Sequence, residues 1–402
     1  MKKLRIALFP ETFVWLKRNK GIIYNSKNYK KFTFSRTDEI DTLCNTLTDL
    51  DRLYSVEISE SLLNNKHVKQ WVDRIIGIEA GCLIEENKKK SKLISYYPLL
   101  RVQEDINQIK WNHNKNVGGK IIENLHELIF YFNGSLHGSN RYFRQIYFPI
   151  RSDRVIDFMN VRMFVDQCIN VRLNKLTFIG DISRYSGFEK LSKWVLTNDY
   201  PVHFVLLAED IEENITQYEL FHSDEISITI IINKLSTFSR HFKFYQNLPE
   251  KVTLSFPVTT VSQFAAVLSF TEESGLKNYA ITPLYTGMNR KFFEEYVYMT
   301  IDELNNTKLS KREVFANMTL NTYSFGKLHV MPEGKVYSNV NEAPLGSIGD
   351  PVYDMIYKEM TEGKSWFRVR DMKPCCDCVY QWLCPSPGNY ELVIGKPDLC
   401  HL

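Results

Sequence analysis

The sequence predicts an α/β protein, and three observations carry the prediction. Apolar residues make up 44% of the 402, ample for a sizeable core, and 13% are aromatic. From about residue 140, six apolar runs alternate with stretches of helical periodicity. Their spacing of about 25–30 residues is what a parallel βαβ crossover needs. Five of the eight cysteines fall in the last 28 residues. The expected organisation is an N-terminal α+β region over 1–90 and a connecting segment over 91–139. A βα body over 140–300 follows, and a cysteine-bearing domain over 320–402.

In chain order, the N-terminal region opens with four β-rich segments, LRIALFP, TFVWLK, GIIYNS and KKFTFS, broken by Pro10, Asn19 and Gly21. Thr37 then caps a helix whose apolar residues Ile40, Leu43, Leu47 and Leu50 recur at helical spacing. A strand, RLYSVEI, precedes a second helix with Val68, Trp71, Val72 and Ile75 on one face. The charge run at 85–92, EENKKKSK, marks a boundary or a solvated loop. VGGK at 117–120 lacks phosphate-loop spacing and reads as a turn.

The six runs of the body are RYFRQIYFP, KLTFIGD, VHFVLLAED, EISITIII, KVTLSFPV and NYAITPLY. Being apolar on both faces, they suit parallel strands covered on two sides. A doubly wound sheet and an open, partial barrel both fit this pattern. Residues 325–345 then read as a hairpin around a Pro-Glu-Gly turn, and DPVYDMIYKEM as a short helix.

Composition also excludes function classes. Fifty basic against 47 acidic residues leave a net charge of +3, so no nucleic-acid partner is implied. No run of 18 apolar residues exists to span a membrane, and the apolar IALF near the start is too short for a signal peptide. Cytoplasmic localisation is expected. Cys44, Cys82 and Cys168 stand singly and are expected to be buried core thiols. His113, His126 and His137 lack ligand spacing, and no dinucleotide, phosphate-loop or nucleophile-elbow motif occurs.

The tail is where chemistry concentrates. Cys375 and Cys378 form a C-x2-C pair, Cys384 follows after five residues and Cys400 after fifteen more. Four thiolates suit a [4Fe–4S] cluster or a structural zinc, the single knuckle favouring the cluster. Cys376, next to Cys375, is expected to point away. With every position filled by sulfur no site is left for a substrate, so a fold-stapling role is preferred to Lewis-acid catalysis or electron relay.

The hairpin FGKLHVMPEGKVYSN, then PLGSIGD, then CCDCVYQWLC resembles the SPASM domain, which follows the six-stranded partial barrel of many radical S-adenosylmethionine (SAM) enzymes that modify peptides. The tail WLCPSPGNYELVIGKPDLCH resembles more specifically the pseudo-radical-SAM/SPASM proteins of Bacteroidales clusters whose precursor peptides carry a Gly-Gly leader. The resemblance implies a (β/α)6 partial barrel with a C-terminal SPASM-like metal domain. It also likens the N-terminal α+β region to the winged-helix element that binds leader peptides by strand addition, a barrel cap being the alternative.

The departures from the family pattern are as informative. A radical SAM enzyme carries C-x3-C-x2-C just after its first barrel strand, and those thiolates hold the cluster that binds SAM. Placing the first strand at RYFRQIYFP, no cysteine follows until Cys168. Where the family has Gly-Gly-Glu at the end of the second strand, this chain has Ile179-Gly180-Asp181, Gly180 reading as an ordinary strand-end glycine. Asn339 and Gly388 stand at two cysteine positions of the fuller SPASM pattern, and 300–374 hold no cysteine, so the first auxiliary cluster is lost. The ligands of the second map onto Cys375, Cys378, Cys384 and Cys400.

The resemblance therefore implies a pseudoenzyme with no catalytic residues, one [4Fe–4S] cluster (zinc as the alternative) and no SAM. It would serve as a scaffold for the precursor peptide, for an active radical SAM enzyme of the same cluster, or for both. The competing expectation is an enzyme that uses SAM or the single auxiliary cluster without the radical cluster.

Overall fold

A computed structural model describes residues 4–49, 52, 54–85, 119–211, 223 and 225–402. Most of the charge run at 85–92 and most of the 91–139 segment, including Val117 and Gly118 of the VGGK turn, lie outside the described residues. So does His113.

The N-terminal region holds two antiparallel three-stranded sheets. In one, β1 (Leu4–Leu8) lies between β5 (Ser55–Ile58) and β6 (Gly81–Glu85). In the other, β2 (Thr12–Leu16), β3 (Lys20–Asn25) and β4 (Lys31–Ser35) form a meander. Two helices bury the faces that the periodicity predicts, except that Leu50 of the first lies outside the described residues. Asp38–Thr48 is capped by Thr37, whose hydroxyl accepts from the Ile40 amide at 3.3 Å, and it buries Ile40, Leu43, Cys44 and Leu47. Lys66–Gly77 buries Val68, Trp71, Val72 and Ile75 in the same core.

The body is one nine-stranded sheet. Six parallel strands lie side by side in sequence order: β7 (Glu127–Tyr131), β8 (Lys175–Ile179), β9 (Val202–Leu207), β10 (Ile226–Ile231), β11 (Val252–Val258) and β12 (Tyr279–Pro283). Within these six, the strand order does not reverse as it does in a doubly wound sheet. Beyond β7, β13 (Lys327–Val330) pairs in parallel and continues into the antiparallel β14 (Lys335–Tyr337) and β15 (Gly346–Ser347), the hairpin around Gly334.

Alternation assigns the two faces. Leu128, Phe130, Leu176, Phe178, Phe204, Ile228 and Leu254 pack with the helices, among them Phe158–Asp166 and Phe188–Leu196. Phe130 and Phe178 stack at 5.6 Å, and Phe204 continues the row at 5.5 Å from Phe178. Ile129, Tyr131, Ile179, Val205, Leu207 and Ile231 form the other face.

The second face is covered by RYFRQIYFP, and here the expected first strand is corrected. Residues 141–147 are turns, and the first strand is Glu127–Tyr131, inside the segment expected to be a connection. The run is apolar because Phe148 is buried against the sheet, as is Ile150 just after the run, with Tyr142, Phe143, Ile146 and Tyr147 packed around them. Sequence periodicity cannot tell a residue buried on a sheet from one buried within it.

Candidate metal centre

Cys375 and Cys378 are brought together by a tight turn, Cys375–Asp377, in which the Cys378 amide donates to the Cys375 carbonyl at 3.0 Å. Cys384 sits one turn further on, its amide donating to the Tyr380 carbonyl at 2.9 Å. Cys400 arrives from the chain end, held by a bridge between Met299 and Cys400 in which the Met299 amide donates to the Leu399 carbonyl at 2.9 Å. All four cysteines line one cavity of about 650 Å³, and Cys376 is not among its lining residues.

Burial pushes the Cys384 thiol up to about 12 and raises those of Cys375 and Cys378 as well. The opposing influence is Arg370, a buried guanidinium whose Nη1 lies 3.8 Å from Cys375 Sγ. Its Nη2 donates to Glu391 Oε1 at 2.9 Å and its Nε to the Pro385 carbonyl at 2.5 Å. A positive charge fixed beside four thiols suits an occupant that takes them as thiolates.

Among the described residues, no three His, Cys, Asp or Glu side chains stand as a ready-made grip for a bare ion. With Zn–S bonds of about 2.3 Å, a zinc ion needs its sulfurs drawn close around one point. A cluster brings its own iron and sulfide and takes thiolates spread around a cavity. Four thiols, with Asp377 also on the cavity wall, fit a [4Fe–4S] cluster or a structural zinc in their chemistry.

The N-terminal region reaches this site. Lys17, on the turn between β2 and β3, donates to the Cys376 carbonyl at 2.9 Å and to the Gln381 side-chain oxygen, and stands 5.7 Å from the Trp382 ring centre. Phe13, Ile22 and Tyr24 pack with Val314 of helix Lys311–Thr319 and with Leu383 of the cysteine loop. The Tyr24 hydroxyl donates to the Leu309 carbonyl at 2.6 Å.

The loop after β7 is the second region of interest. It contains no cysteine; the chain has none between Cys82 and Cys168. It is pinned by Ser135, whose amide donates to the Ile150 carbonyl at 2.7 Å, and by Gln145, whose side chain spans the amide and carbonyl of Tyr285 at 2.8 and 2.9 Å. At the end of β8, Gly180 has φ +151°, and a methyl group there would strike the Asn133 side-chain oxygen. That oxygen accepts from the Asp181 amide at 2.7 Å, while the Asn133 Nδ2 donates to the Asp181 carbonyl at 2.6 Å. Gly180 is thus required by a close approach, not merely tolerated at a strand end. The Asp181 carboxylate accepts from the Ser183 amide and hydroxyl at 2.9 and 2.6 Å. At the end of β9, burial raises Asp210 to about 6, against the Ser135 hydroxyl that donates to it.

Of the lone cysteines, Cys44 and Cys168 are buried and pushed up to about 12 by that burial, whereas Cys82 is only half-buried, contrary to expectation. Sequence reasoning missed Lys17, Arg370 and Asn133, which carry no spacing signal.

The strand order and the helices packed on one face of the sheet define an α/β protein built around a parallel sheet. Two of the solved structures with that fold are of SuiB from Streptococcus suis. One, bound to its precursor peptide SuiA, superposes with a TM-score of 0.51 at 13% identity, covering 100% of both chains. The other, bound to S-adenosylmethionine, gives 0.51 at 14% identity, covering 98% of this chain and 100% of that one. At such identity the likeness shows the fold alone. The sequence matches no family model and no curated protein. Among the described residues no helix is long and apolar enough to cross a membrane.

Proposed function

We propose that this protein is a non-catalytic radical-SAM-type partial barrel with a SPASM-like tail. In this reading it binds a ribosomally made precursor peptide with a Gly-Gly leader, an active radical SAM enzyme, or both, during peptide maturation. The observation that carries the reading is the covered inner face of the sheet: Phe148 and Ile150 are packed on β7 to β10, in the loop that would otherwise bring three cysteines to a catalytic cluster.

Two features support it further. Asp181, at the position of the family's SAM-contacting glutamate, has its carboxylate engaged by Ser183. SuiB, which shares the fold over its whole length, is known bound to a precursor peptide. Cys375, Cys378, Cys384 and Cys400 would hold one [4Fe–4S] cluster, with Arg370 offsetting its negative charge. Such a cluster, when bound, supplies a structural cross-link between the C-x2-C turn and the chain end.

The test is a pair of titrations on anaerobically purified protein, together with iron, sulfide and zinc content per chain. Precursor binding, no heat on adding SAM, and about four irons lost in Cys378→Ser are expected. About eight irons, or SAM binding with turnover, would overturn the reading and favour an enzyme.

A further inference from the structure

The loops that leave the carboxyl ends of β7, β12 and β13 meet around one open cleft of about 770 Å³. In parallel sheets that end of the strands is where ligands bind. Arg141, Arg144 and Arg151 come from the first loop, residues 285–287 from the second, and Met331 and Glu333 from the third. All three arginines are exposed, and among the described residues none of their guanidiniums makes a hydrogen bond or an ion pair. By contrast Arg5, Arg36, Arg162, Arg290 and Arg370 each face a carboxylate. Glu333 is the one acidic residue on the cleft wall, and Asp153 and Arg154, just beyond Arg151, stand outside it. The cleft thus holds an excess of two positive charges, on a chain whose whole excess is three.

The backbone that carries these charges is fixed. The Arg151 amide donates to Asn140 Oδ1 at 2.8 Å, and Asn341 Nδ2 donates to the Arg144 carbonyl at 2.8 Å. Gln145 ties the same loop to Tyr285. Asn289 holds the facing rim: its Nδ2 donates to the Thr259 and Leu284 carbonyls, both at 2.8 Å, and its Oδ1 accepts from the Thr286 amide at 2.9 Å. Arginines on a pinned frame lose less freedom when a partner binds. Each guanidinium presents a planar fork of donors that matches one carboxylate. Three forks on one loop therefore match a chain that carries several carboxylates. Phe143 and Ile150, also on the wall, supply apolar surface between the charges, which suits a peptide's mixed side chains.

We propose that this cleft docks an acidic segment of a bound peptide, two or more of whose Asp or Glu carboxylates accept hydrogen bonds from the Arg141, Arg144 and Arg151 guanidiniums. The proposal rests on the reading of the chain as a peptide-binding protein, and adds to it the place of contact and the charge of the segment held there.

The experiment titrates the full chain calorimetrically with acetyl-Glu-Leu-Glu-Leu-Glu-amide, its counterpart with Gln at every Glu, N-acetylglutamate methylamide and a short oligo-dT. The Glu pentapeptide is expected to bind at least about tenfold more tightly than the Gln one, and added salt should erode the difference. Arg144→Gln and Arg151→Gln should each weaken the Glu pentapeptide about threefold, the scale of one exposed ion pair. Arg141→Gln, Arg144→Gln and Arg151→Gln combined should abolish the preference with the thermal midpoint unchanged, since all three side chains are exposed. Arg172→Gln removes the same charge just ahead of the opposite end of β8, and should leave the affinity as it is. Equal binding of the two pentapeptides, or binding of neither, overturns the proposal. So does a loss in Arg172→Gln as large as that in Arg144→Gln, which would show attraction to net charge alone. Tighter binding of oligo-dT would overturn the peptide occupant in favour of a nucleic acid, and equal affinity for the single-residue probe would overturn it in favour of a small anion. If the precursor binds the parent and the triple variant alike, the cleft assignment falls and the peptide-binding reading stands. If the Glu pentapeptide binds selectively and the precursor does not bind, the cleft assignment stands and the precursor-binding reading falls.

Discussion

Replacing Phe148 by alanine decides whether the loop over the sheet is part of the core or a cover that comes and goes. Phe148 is wholly buried against Ile129, Tyr131 and their neighbours, and its ring meets that of Tyr142 edge-on at 5.3 Å and 87°. The backbone on either side is fixed by Ser135 to Ile150, by Gln145 to Tyr285 and by the Ile156 amide donating to the Phe132 carbonyl at 2.8 Å. A loop pinned at several points cannot collapse into the space the ring leaves. The cost should therefore reach the upper part of the range for a buried phenylalanine, about 3–5 kcal/mol, the edge-on pair with Tyr142 being worth about 0.5–1.5 kcal/mol of it. Urea unfolding with linear extrapolation measures this, and Met163→Ala, at a site 62% exposed, is the control expected to stay within about 0.5 kcal/mol. A loop already exchanging with solvent would lose little on truncation. A loss below about 1 kcal/mol with an unchanged denaturant slope would refute the claim that the face is permanently covered, and with it the main support for a non-catalytic role.

Gly180→Ala should cost about 1–3 kcal/mol in backbone strain alone, before its methyl group pushes Asn133 away from Asp181, and thermal unfolding reads the loss. Asp210 has a folded pKa raised to about 6, so the stability it contributes is complete below the ordinary aspartate value of about 4 and is lost as pH rises through about 6. Asp210→Asn should flatten the stability profile across that window, and an unchanged profile would contradict the assignment. Lys17→Met leaves the Cys376 carbonyl and Gln381 without their charged donor. With the proposed cluster at the cysteine loop, its iron should then pass to a chelator on the order of tenfold faster, equivalent to about 1.4 kcal/mol. An unchanged rate would show that the N-terminal contact does not support the loop.

What was legible in the sequence follows from which signals are local. Thr37 and the spacing of Ile40, Leu43 and Leu47 are read within one helix, and the structure agrees. Five of the six βα runs stand as strands because each is short, apolar on both faces and followed by a helix or a helical turn. The sixth failed on a tie that sequence cannot break. ELIFY and RYFRQIYFP are both apolar runs, and only the pairing of Glu127–Tyr131 with β8 and β13 shows which is in the sheet. At the cysteine cavity the spacing named the four thiols. The charges that matter there, Lys17 and Arg370, stand apart from the clustered sulfurs, and a single basic residue among 50 carries no signal of its own.

The loop after β7 and the cysteine cavity fill their space in opposite ways. Behind β7 the space is filled by the chain's own apolar groups, and that solution is complete in itself: Phe148 and Ile150 need no partner beyond the sheet. Around Cys375 the opposite holds. A buried guanidinium lies against a thiol whose own burial disfavours ionisation, so the charge of Arg370 is matched by Glu391 but not by the sulfurs it faces. Lys17, half-buried, is held to the same loop by a carbonyl and an amide oxygen, neither of them an anion. Arg370 keeps Glu391 as its counter-charge whatever fills the cavity, whereas the hydrogen bonds of Lys17 go only to neutral acceptors. Filling it with apolar side chains would require replacing Arg370 and Lys17 together. On the proposed reading, a metal held at the tail is supported by side chains from two distant parts of the chain, Lys17 and Arg370, while the space behind β7 is filled by Phe148 and Ile150.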